Sequence, residues 1–151
     1  MPNAYETVQA SVRGQMLEAC RAGEVKTVRV KYSIDTTNNQ LGAVNNTIRF
    51  LKLPPNHVPV DGLVDCDDLD ANGAPTLLFD FGLDIDTDCF LDNSAIGQAG
   101  GLARFDKKAG FRIGDSNDVR YVMLTVVTPA ATNAVGDIYV TFSYRAVAND
   151  D

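Results

Sequence analysis

The residues best suited to do chemistry lie in one acidic stretch, Asp65–Pro75, which reads DCDDLDANGAP. Within it, Asp68, Asp70, Asn72 and Gly73 match the first half of an EF-hand calcium loop. In such a loop, oxygen ligands at alternate positions converge on the ion and a glycine makes the sharp turn. Calcium binding is therefore the first chemistry to consider.

The second half of that motif does not match. Its eighth position is Pro75, and its twelfth, where a bidentate glutamate is needed, is Phe79. A looser cation site remains open as a hypothesis, because clustered carboxylates repel one another and a divalent ion relieves them. Its candidate ligands are Asp65, Asp67, Asp68, Asp70 and Asn72. The interpretation we favour is a solvated turn without a cofactor, with Asp and Asn side chains bonded to nearby backbone and Asn72-Gly73 in left-handed conformation.

A second acidic series alternates along the chain: Asp80, Asp84, Asp86 and Asp88. Residues two apart on a strand share a face at about 7 Å, a spacing at which glycosidases place carboxylate pairs. Any β protein with a wet face shows this alternation, and the chain has no tryptophan to stack on a sugar. We predict a solvated or partner-facing sheet, no catalytic residues and no enzyme activity.

The three cysteines, Cys20, Cys66 and Cys89, are widely spaced and accompany a single histidine, His57. This pattern lacks zinc-ligand spacing and favours small reduced thiols. A Cys-His nucleophile is the alternative, but no local signature supports it.

The net charge of -7 is unevenly distributed. Residues 61–92 contain ten aspartates and no lysine or arginine, whereas residues 1–52 contain seven basic and four acidic residues. An acidic third repels phosphates, so we expect no direct nucleic-acid binding. An acidic face suits a basic protein partner, cations or simple solubility. No apolar run approaches the roughly 20 residues that span a bilayer, so we expect no membrane association.

Alternation with a period of two dominates the chain and predicts half-buried antiparallel strands. The residues expected to face the core are Val28, Val30, Tyr32, Ile34, Leu77, Phe79, Phe81, Leu83, Ile85, Ile138, Val140, Phe142, Tyr144 and Ala146. The segment RYVMLTVVT is apolar at nearly every position and predicts a central strand.

Prolines and glycines mark the connections. Pro54 and Pro55 stop one strand, Pro59 indicates an edge, and residues 129–136 fit a long hairpin connection. Asp92, Asn93 or Ser94 is a candidate cap for a short helix.

Two segments are candidate contacts with other subunits. RFDKKAGFRIG predicts a basic hairpin that is either merely exposed or complementary to the acidic third, with the cations Arg104, Lys107, Lys108 and Arg112. The N-terminal segment fits either a short helix or an extended arm, with the candidate contact residues Tyr5, Val8, Val12, Met16 and Leu17.

These patterns predict an all-β fold, an antiparallel β-sandwich or a jelly-roll-like small barrel. We expect an N-terminal arm or short helix over residues 1–24 and a single β domain over residues 25–148.

Residues 45–146 resemble small virion structural proteins of tailed bacteriophages. The resemblance lies in FLKLPPNHVPVDGLVDCDDLDANGAPTLLFDFGLD, then IGQAGG, then a long strand and TPAATNAVGDIYVTFSYRA. It implies a non-enzymatic homo-oligomer, a dimer or trimer, of the capsid decoration (cement) type. Such a protein is assembled in the host cytoplasm and binds the major capsid protein on the outer surface of the virion.

Three alternatives stay open at this point. Two are other phage roles, a head-tail connector and a tail or fibre component. The third is a carbohydrate-binding recognition module, against which the absence of tryptophan counts.

Overall fold

The structure, a computed structural model, describes residues 2–7 and 24–147. These residues form nine strands, one short α-helix and one 3₁₀ turn. The strands are β1 Ala4–Glu6, β2 Val25–Ile34, β3 Thr47–Leu53, β4 His57–Cys66, β5 Leu78–Leu83, β6 Asp86–Ser94, β7 Gly101–Arg104, β8 Arg120–Thr128 and β9 Gly136–Ala146. The helix α1 is Lys108–Phe111 and the 3₁₀ turn is Ile96–Gln98. No helix in this part of the chain is long and apolar enough to cross a membrane.

The strands form two sheets that pack face to face. One has the order β1-β3-β8-β5-β6 and the other β2-β9-β4-β7. All neighbouring strands are antiparallel except β1, which pairs parallel with β3. The all-β sandwich expected from the sequence is confirmed.

The strand pairs are nested. β5 pairs with β6, β4 with β7, β3 with β8, and β2 with β9. The chain thus resembles one long hairpin folded over itself, and the β8–β5 and β9–β4 pairs join the nested pairs into sheets. This eight-strand arrangement is a jelly roll, to which β1 adds an extra edge.

Aromatic side chains fill the space between the sheets. Phe81 on β5 lies 5.8 Å from Phe105, and Phe105 stacks on Phe90 of β6 at 4.6 Å. Phe90 in turn contacts Phe142 of β9 edge-on at 6.0 Å. Since Phe81 and Phe90 belong to one sheet and Phe142 to the other, this chain of rings joins both layers. Ring centroids 4.5–7 Å apart are in the favourable range for aromatic pairs.

The predicted inward faces are largely right. β8 is the middle strand of its sheet, and the predicted inward residues of β5 and β9 are buried apart from Ala146, which is half-buried. Ile85 is an exception. Its side chain is 63% exposed because the chain turns between β5 and β6 at this point instead of continuing the strand.

Three predictions about connections are wrong. Residues 129–135 do not close a hairpin, because β8 and β9 belong to different sheets. The basic segment is not a hairpin either: Arg104 ends β7, and one turn of helix, α1, follows. The 3₁₀ turn begins after Ala95 without any side-chain cap, so none of the three proposed polar residues caps it.

Two predictions about prolines agree with the strand limits. β3 ends at Leu53, directly before Pro54. Pro59 lies on β4 outside the segment Leu63–Cys66 that pairs with β7, and a register shift in the β4–β9 pairing follows it. One edge of β4 is thus unpaired at Pro59 among the described residues, as a residue without an N–H requires.

Phe81 and Ile85 provide a matched test of this fold. We expect Phe81→Ala to lower the free energy of unfolding by about 3–5 kcal/mol, because it leaves a cavity at the centre of the aromatic cluster. Ile85→Ala removes an exposed side chain and should change it by no more than about 0.5 kcal/mol. Urea denaturation followed by circular dichroism measures both values. Equal losses in the two variants would contradict the turn at residues 84–85.

Candidate functional site

Four connections meet at one end of the sandwich, which we call the loop end: residues 35–46, 67–77, 95–100 and 129–135. Backbone hydrogen bonds join them, among them Leu69 N–H to the Gly97 carbonyl and Ala130 N–H to the Leu41 carbonyl, at 2.9 and 3.0 Å. The four segments contain four aspartates and no lysine or arginine. The loop end is therefore a joined, negatively charged surface.

Asp70 holds two of these segments together. Its side chain is only 1% exposed, and backbone N–H groups surround its carboxylate. One oxygen accepts from Thr76, Leu77 and Ala131 at 2.8, 3.1 and 2.9 Å, and the other accepts from Thr132 at 2.9 Å. Because Ala131 and Thr132 belong to the connection between β8 and β9, one carboxylate fixes both loops.

These hydrogen bonds also determine the ionisation of Asp70. Burial alone would raise the pKa of this carboxyl, since it disfavours the charged form. The N–H groups of Thr132, Ala131, Thr76 and Leu77 outweigh burial and lower the pKa to about 2. Asp70 is consequently a carboxylate at all physiological pH values.

The rest of the acidic stretch is a chain of turns. Asp70 N–H donates to the Asp68 side chain at 3.1 Å, Asn72 N–H donates to the Asp70 side chain at 3.4 Å, and Ala74 N–H donates to the Asn72 side chain at 2.9 Å. This is the expected pattern of Asp and Asn side chains bonded two residues on. Two details differ from expectation. Asp70 is buried rather than solvated, and neither Asn72 nor Gly73 has a positive φ.

The candidate cation ligands have other partners. Both oxygens of Asp65 accept from Arg29, at 2.8 and 3.0 Å, and Asp67 accepts from the backbone N–H of Asp137 at 2.8 Å. Asp70 directs its carboxylate at N–H donors. In residues 2–7 and 24–147, no group of three or more His, Cys, Asp or Glu side chains could hold a metal ion. Calcium binding remains a hypothesis for titration to test.

The alternating acids of β5 and β6 also bind neighbouring groups. Asp80 accepts from Asn93 N–H at 2.8 Å, and Asp84 accepts from Tyr121 N–H at 3.0 Å. Lys107 lies 3.1 Å from Asp88 and lowers its pKa. These contacts give the carboxylates structural roles at the margins of the sheet.

The outward face of the four-stranded sheet pairs its opposite charges. Arg29 pairs with Asp65, Arg104 with Asp61, and Lys31 lies 4.0 Å from Asp137. The Arg29 guanidinium also lies over the Tyr139 ring, at 4.3 Å from its centroid. Each exposed pair is worth little in stability, but together these pairs offset much of the charge on this face.

Arg120 is a buried charge that the sequence did not reveal. It is 2% exposed at the end of the sandwich opposite the loop end, where it donates to the Gly114 carbonyl at 2.7 Å and the His57 carbonyl at 2.6 Å. Burial lowers its pKa. Its position at the start of an apolar strand was the available signal, since a cation there must find acceptors when the strand is buried.

The residues proposed as partner contacts have several environments. Tyr5 is half-buried against the chain's own core, and its hydroxyl donates to the Asn38 carbonyl at 2.8 Å. Arg104 and Lys107 form the ion pairs described above. Lys108 is exposed at the start of α1, and Arg112 is exposed directly after its end. Val8, Val12, Met16 and Leu17 lie outside the described residues.

The two described cysteines are poor nucleophiles. Cys66 and Cys89 are free thiols. Burial raises the pKa of Cys66 to about 12, helped by nearby aspartates, and that of Cys89 to about 11. Since the thiolate is the reactive form, neither cysteine is suited to catalysis.

The known proteins that resemble this chain do so in their three-dimensional structure. No protein-family model matches the chain, and no curated protein matches it significantly. A chain in the solved capsid of Ralstonia phage GP4 has a TM-score of 0.78 and 27% identity, covering 96% of this chain and 99% of that one. A chain in the capsid asymmetric unit of cyanophage Pam1 has a TM-score of 0.70 and 20% identity, covering 91% and 96%.

The fold and surfaces define a class: a small jelly-roll protein with an acidic, hydrogen-bonded loop end. The similarity to the chain in the capsid of Ralstonia phage GP4 then supports a more particular conclusion, a structural role in the virion. The likeness to the cyanophage chain supports the fold alone.

Asp70 and Asp68 give a test of the loop end. Asp70→Asn places an amide among N–H donors, so it should lower the free energy of unfolding at pH 7 by about 2–4 kcal/mol. Asp68→Asn, at an exposed site, should cost less than about 1 kcal/mol. Urea denaturation of the two variants and the native chain measures both losses.

The loss in Asp70→Asn should depend on pH. The pKa of Asp70 is about 2 in the folded chain and about 3.9 in an unfolded one, so its stabilisation is complete above pH 4 and decreases as the pH falls towards 2. The difference between native and Asp70→Asn should shrink over that interval. A pH-independent difference would contradict the role of the charge.

The thiols should react slowly. In the native protein at pH 8, Cys66 and Cys89 should react with a disulfide reagent at least about a hundredfold more slowly than in urea, because few of their thiols are ionised. Peptide mass spectrometry after timed quenching resolves the rate at each residue. Fast modification of Cys66 in the native state would contradict the raised pKa.

Proposed function

We propose that this protein decorates the outer surface of a tailed-phage head, where it binds the lattice of major capsid protein and stabilises contacts between capsomers. The observation that carries the proposal is the similarity, across nearly the whole of both chains, to a chain in the capsid of Ralstonia phage GP4. The resemblance of residues 45–146 noted in the sequence points in the same direction.

The surfaces of the protein suit this role. The outward face of the four-stranded sheet, with its paired charges, suits contact with solvent. The loop end combines aspartates, an absence of cations and two exposed valines, Val44 and Val135. Apolar side chains inside a rim of one charge are typical of a docking surface for a partner of opposite charge. We assign lattice contact to the loop end and expect its partner surface to be basic.

Stabilisation of the shell follows from linkage. A protein that binds the assembled lattice but not the separated subunits favours assembly by mass action. Weak contacts repeated over the shell add through effective concentration. The rigid loop end reduces the entropy lost on docking, because Asp70 already fixes two of its loops.

Phage particles with and without this protein test the proposal. Particles from a deletion mutant should lose DNA at a lower temperature than native particles, and adding the purified protein should restore the native value. Quantitative mass spectrometry should find on the order of hundreds of copies per particle, as expected for a repeated lattice contact. A ring of about six or twelve copies at one vertex would instead indicate a head-tail connector.

Charge reversal at the loop end sharpens this test. Asp68→Lys should weaken binding to depleted particles by about tenfold, because it places a cation against a basic surface. Asp118→Lys, which makes the same charge change at an exposed site near the opposite end, is the matched control and should bind like the native protein. Equal affinities of the two variants would remove the loop end from the contact.

A further inference from the structure

The outer edge of β2 is unusual among the sheet edges. All ten residues of Val25–Ile34 pair one by one with β9, without a register shift. Among the described residues, no strand pairs with the other side of β2. Backbone N–H and C=O groups along an open edge form a template for another strand.

The other three edges are poorly suited to pairing. β1 has three residues and β7 has four. β6 carries three aspartates, and its pairing with β5 shifts register twice. Short, charged and bulged edges are the usual means by which proteins prevent association. β2 is neither short nor bulged, and its only protection of this kind is the charge of Lys26, Arg29 and Lys31.

The inward side chains of β2 are only partly buried. Val28, Val30 and Tyr32 pack against the core but remain half-buried. The residues opposite them on β9, Phe142, Val140 and Ile138, are all fully buried. The apolar row at the edge of the sheet thus extends past the core, and a further strand beside β2 would bury it.

We propose that β2 pairs antiparallel with β2 of a second copy about a two-fold axis, with Val28 facing Val28. This register places each cation of β2 opposite an uncharged residue: Lys26 faces Val30, Arg29 faces Thr27, and Lys31 faces Val25. Two registers centred further along the strand bring like charges together. A centre at Arg29 sets Arg29 against itself, and a centre at Val30 sets Arg29 against Lys31. Like charges directly opposite destabilise a strand pair, so charge disfavours both of these registers. A centre at Thr27 also avoids like charges, but it pairs only residues 25–29 of each strand, whereas a centre at Val28 pairs residues 25–31.

The resulting dimer has an eight-stranded sheet across the axis. Its interface is isologous and closes on itself, so it does not propagate into a fibre. Because the two copies run antiparallel, their loop ends lie at opposite extremes of the dimer. The dimer does not depend on the proposed function.

Cysteine substitutions on neighbouring inward positions test the register. Two copies of residue 28 face each other on the axis, with Cα atoms about 4.5–5.5 Å apart. Mild oxidation of Val28→Cys should therefore give a disulfide-linked dimer, because disulfides span Cα distances below about 7 Å. In the same register, two copies of residue 30 are displaced by four residues, about 13 Å. Val30→Cys is the matched control and should stay uncrosslinked, like the native chain.

Each outcome decides the proposal. Non-reducing gels and peptide mass spectrometry should find a disulfide between the two copies of position 28 in most of the Val28→Cys protein, with unchanged melting temperature before oxidation. A crosslink in Val30→Cys instead would contradict the register. A link from residue 28 to Cys20 of the same chain would show that the N-terminal segment covers the edge, and would overturn the dimer.

Two variants at the exposed residue Thr27 give an independent measurement. Both lose the hydrogen bond to Ser143, so they are matched in the monomer. Thr27→Arg faces Arg29 across the axis and should raise the dimer dissociation constant about tenfold or more, whereas Thr27→Asp should leave it unchanged or lower it. Analytical ultracentrifugation over a concentration series measures both. A native chain that is monomeric throughout would overturn the proposal, while binding of that monomer to phage heads would leave the proposed function standing.

Discussion

Contact between the aromatic rings of the two sheets is the interaction on which the rest of the molecule depends. Phe81, Phe105, Phe90 and Phe142 form a continuous path from one sheet to the other. Each sheet has an apolar inner face, and neither could bury that face without the other. Everything the protein presents to a partner, including both sheet faces and the loop end, is positioned by this packing.

Buried charges fix the two ends of the sandwich in the same way. Asp70 receives backbone N–H groups at the loop end, and Arg120 donates to backbone carbonyls at the opposite end. Among the described residues, the partners of both side chains are backbone groups rather than opposite charges. The dipoles of these peptide groups replace the hydration that each charge loses on burial. Since backbone groups cannot move without the strands, each side chain ties the path of a loop to the sheet beside it. The loops that Asp70 and Arg120 contact are therefore held to the sheets by hydrogen bonds.

The sequence predicted strand faces better than connections. Alternation over β2, β5 and β9 identified the residues that point inward, because side-chain direction on a strand has a strict period of two. The path of residues 129–135 between sheets could not be predicted, since turn residues look alike in a hairpin and in a crossover. The role of Asp70 was missed for a related reason. Its donors Ala131 and Thr132 are about sixty residues away, and backbone donors leave no mark in a sequence.

Nesting of the strand pairs has a consequence for how the chain acquires its structure. Residues 25–34 of β2 pair with residues 136–145 of β9, so this contact closes only after the chain up to β9 has left the ribosome. Among the described strands, only β5 and β6 are both consecutive and paired, so their hairpin can form early. Long-range pairing of this kind slows folding and leaves apolar strands uncovered in the meantime. We therefore expect the yield of folded protein from expression to be limited by aggregation of nascent and newly released chains. Chaperones and a lower growth temperature should raise that yield.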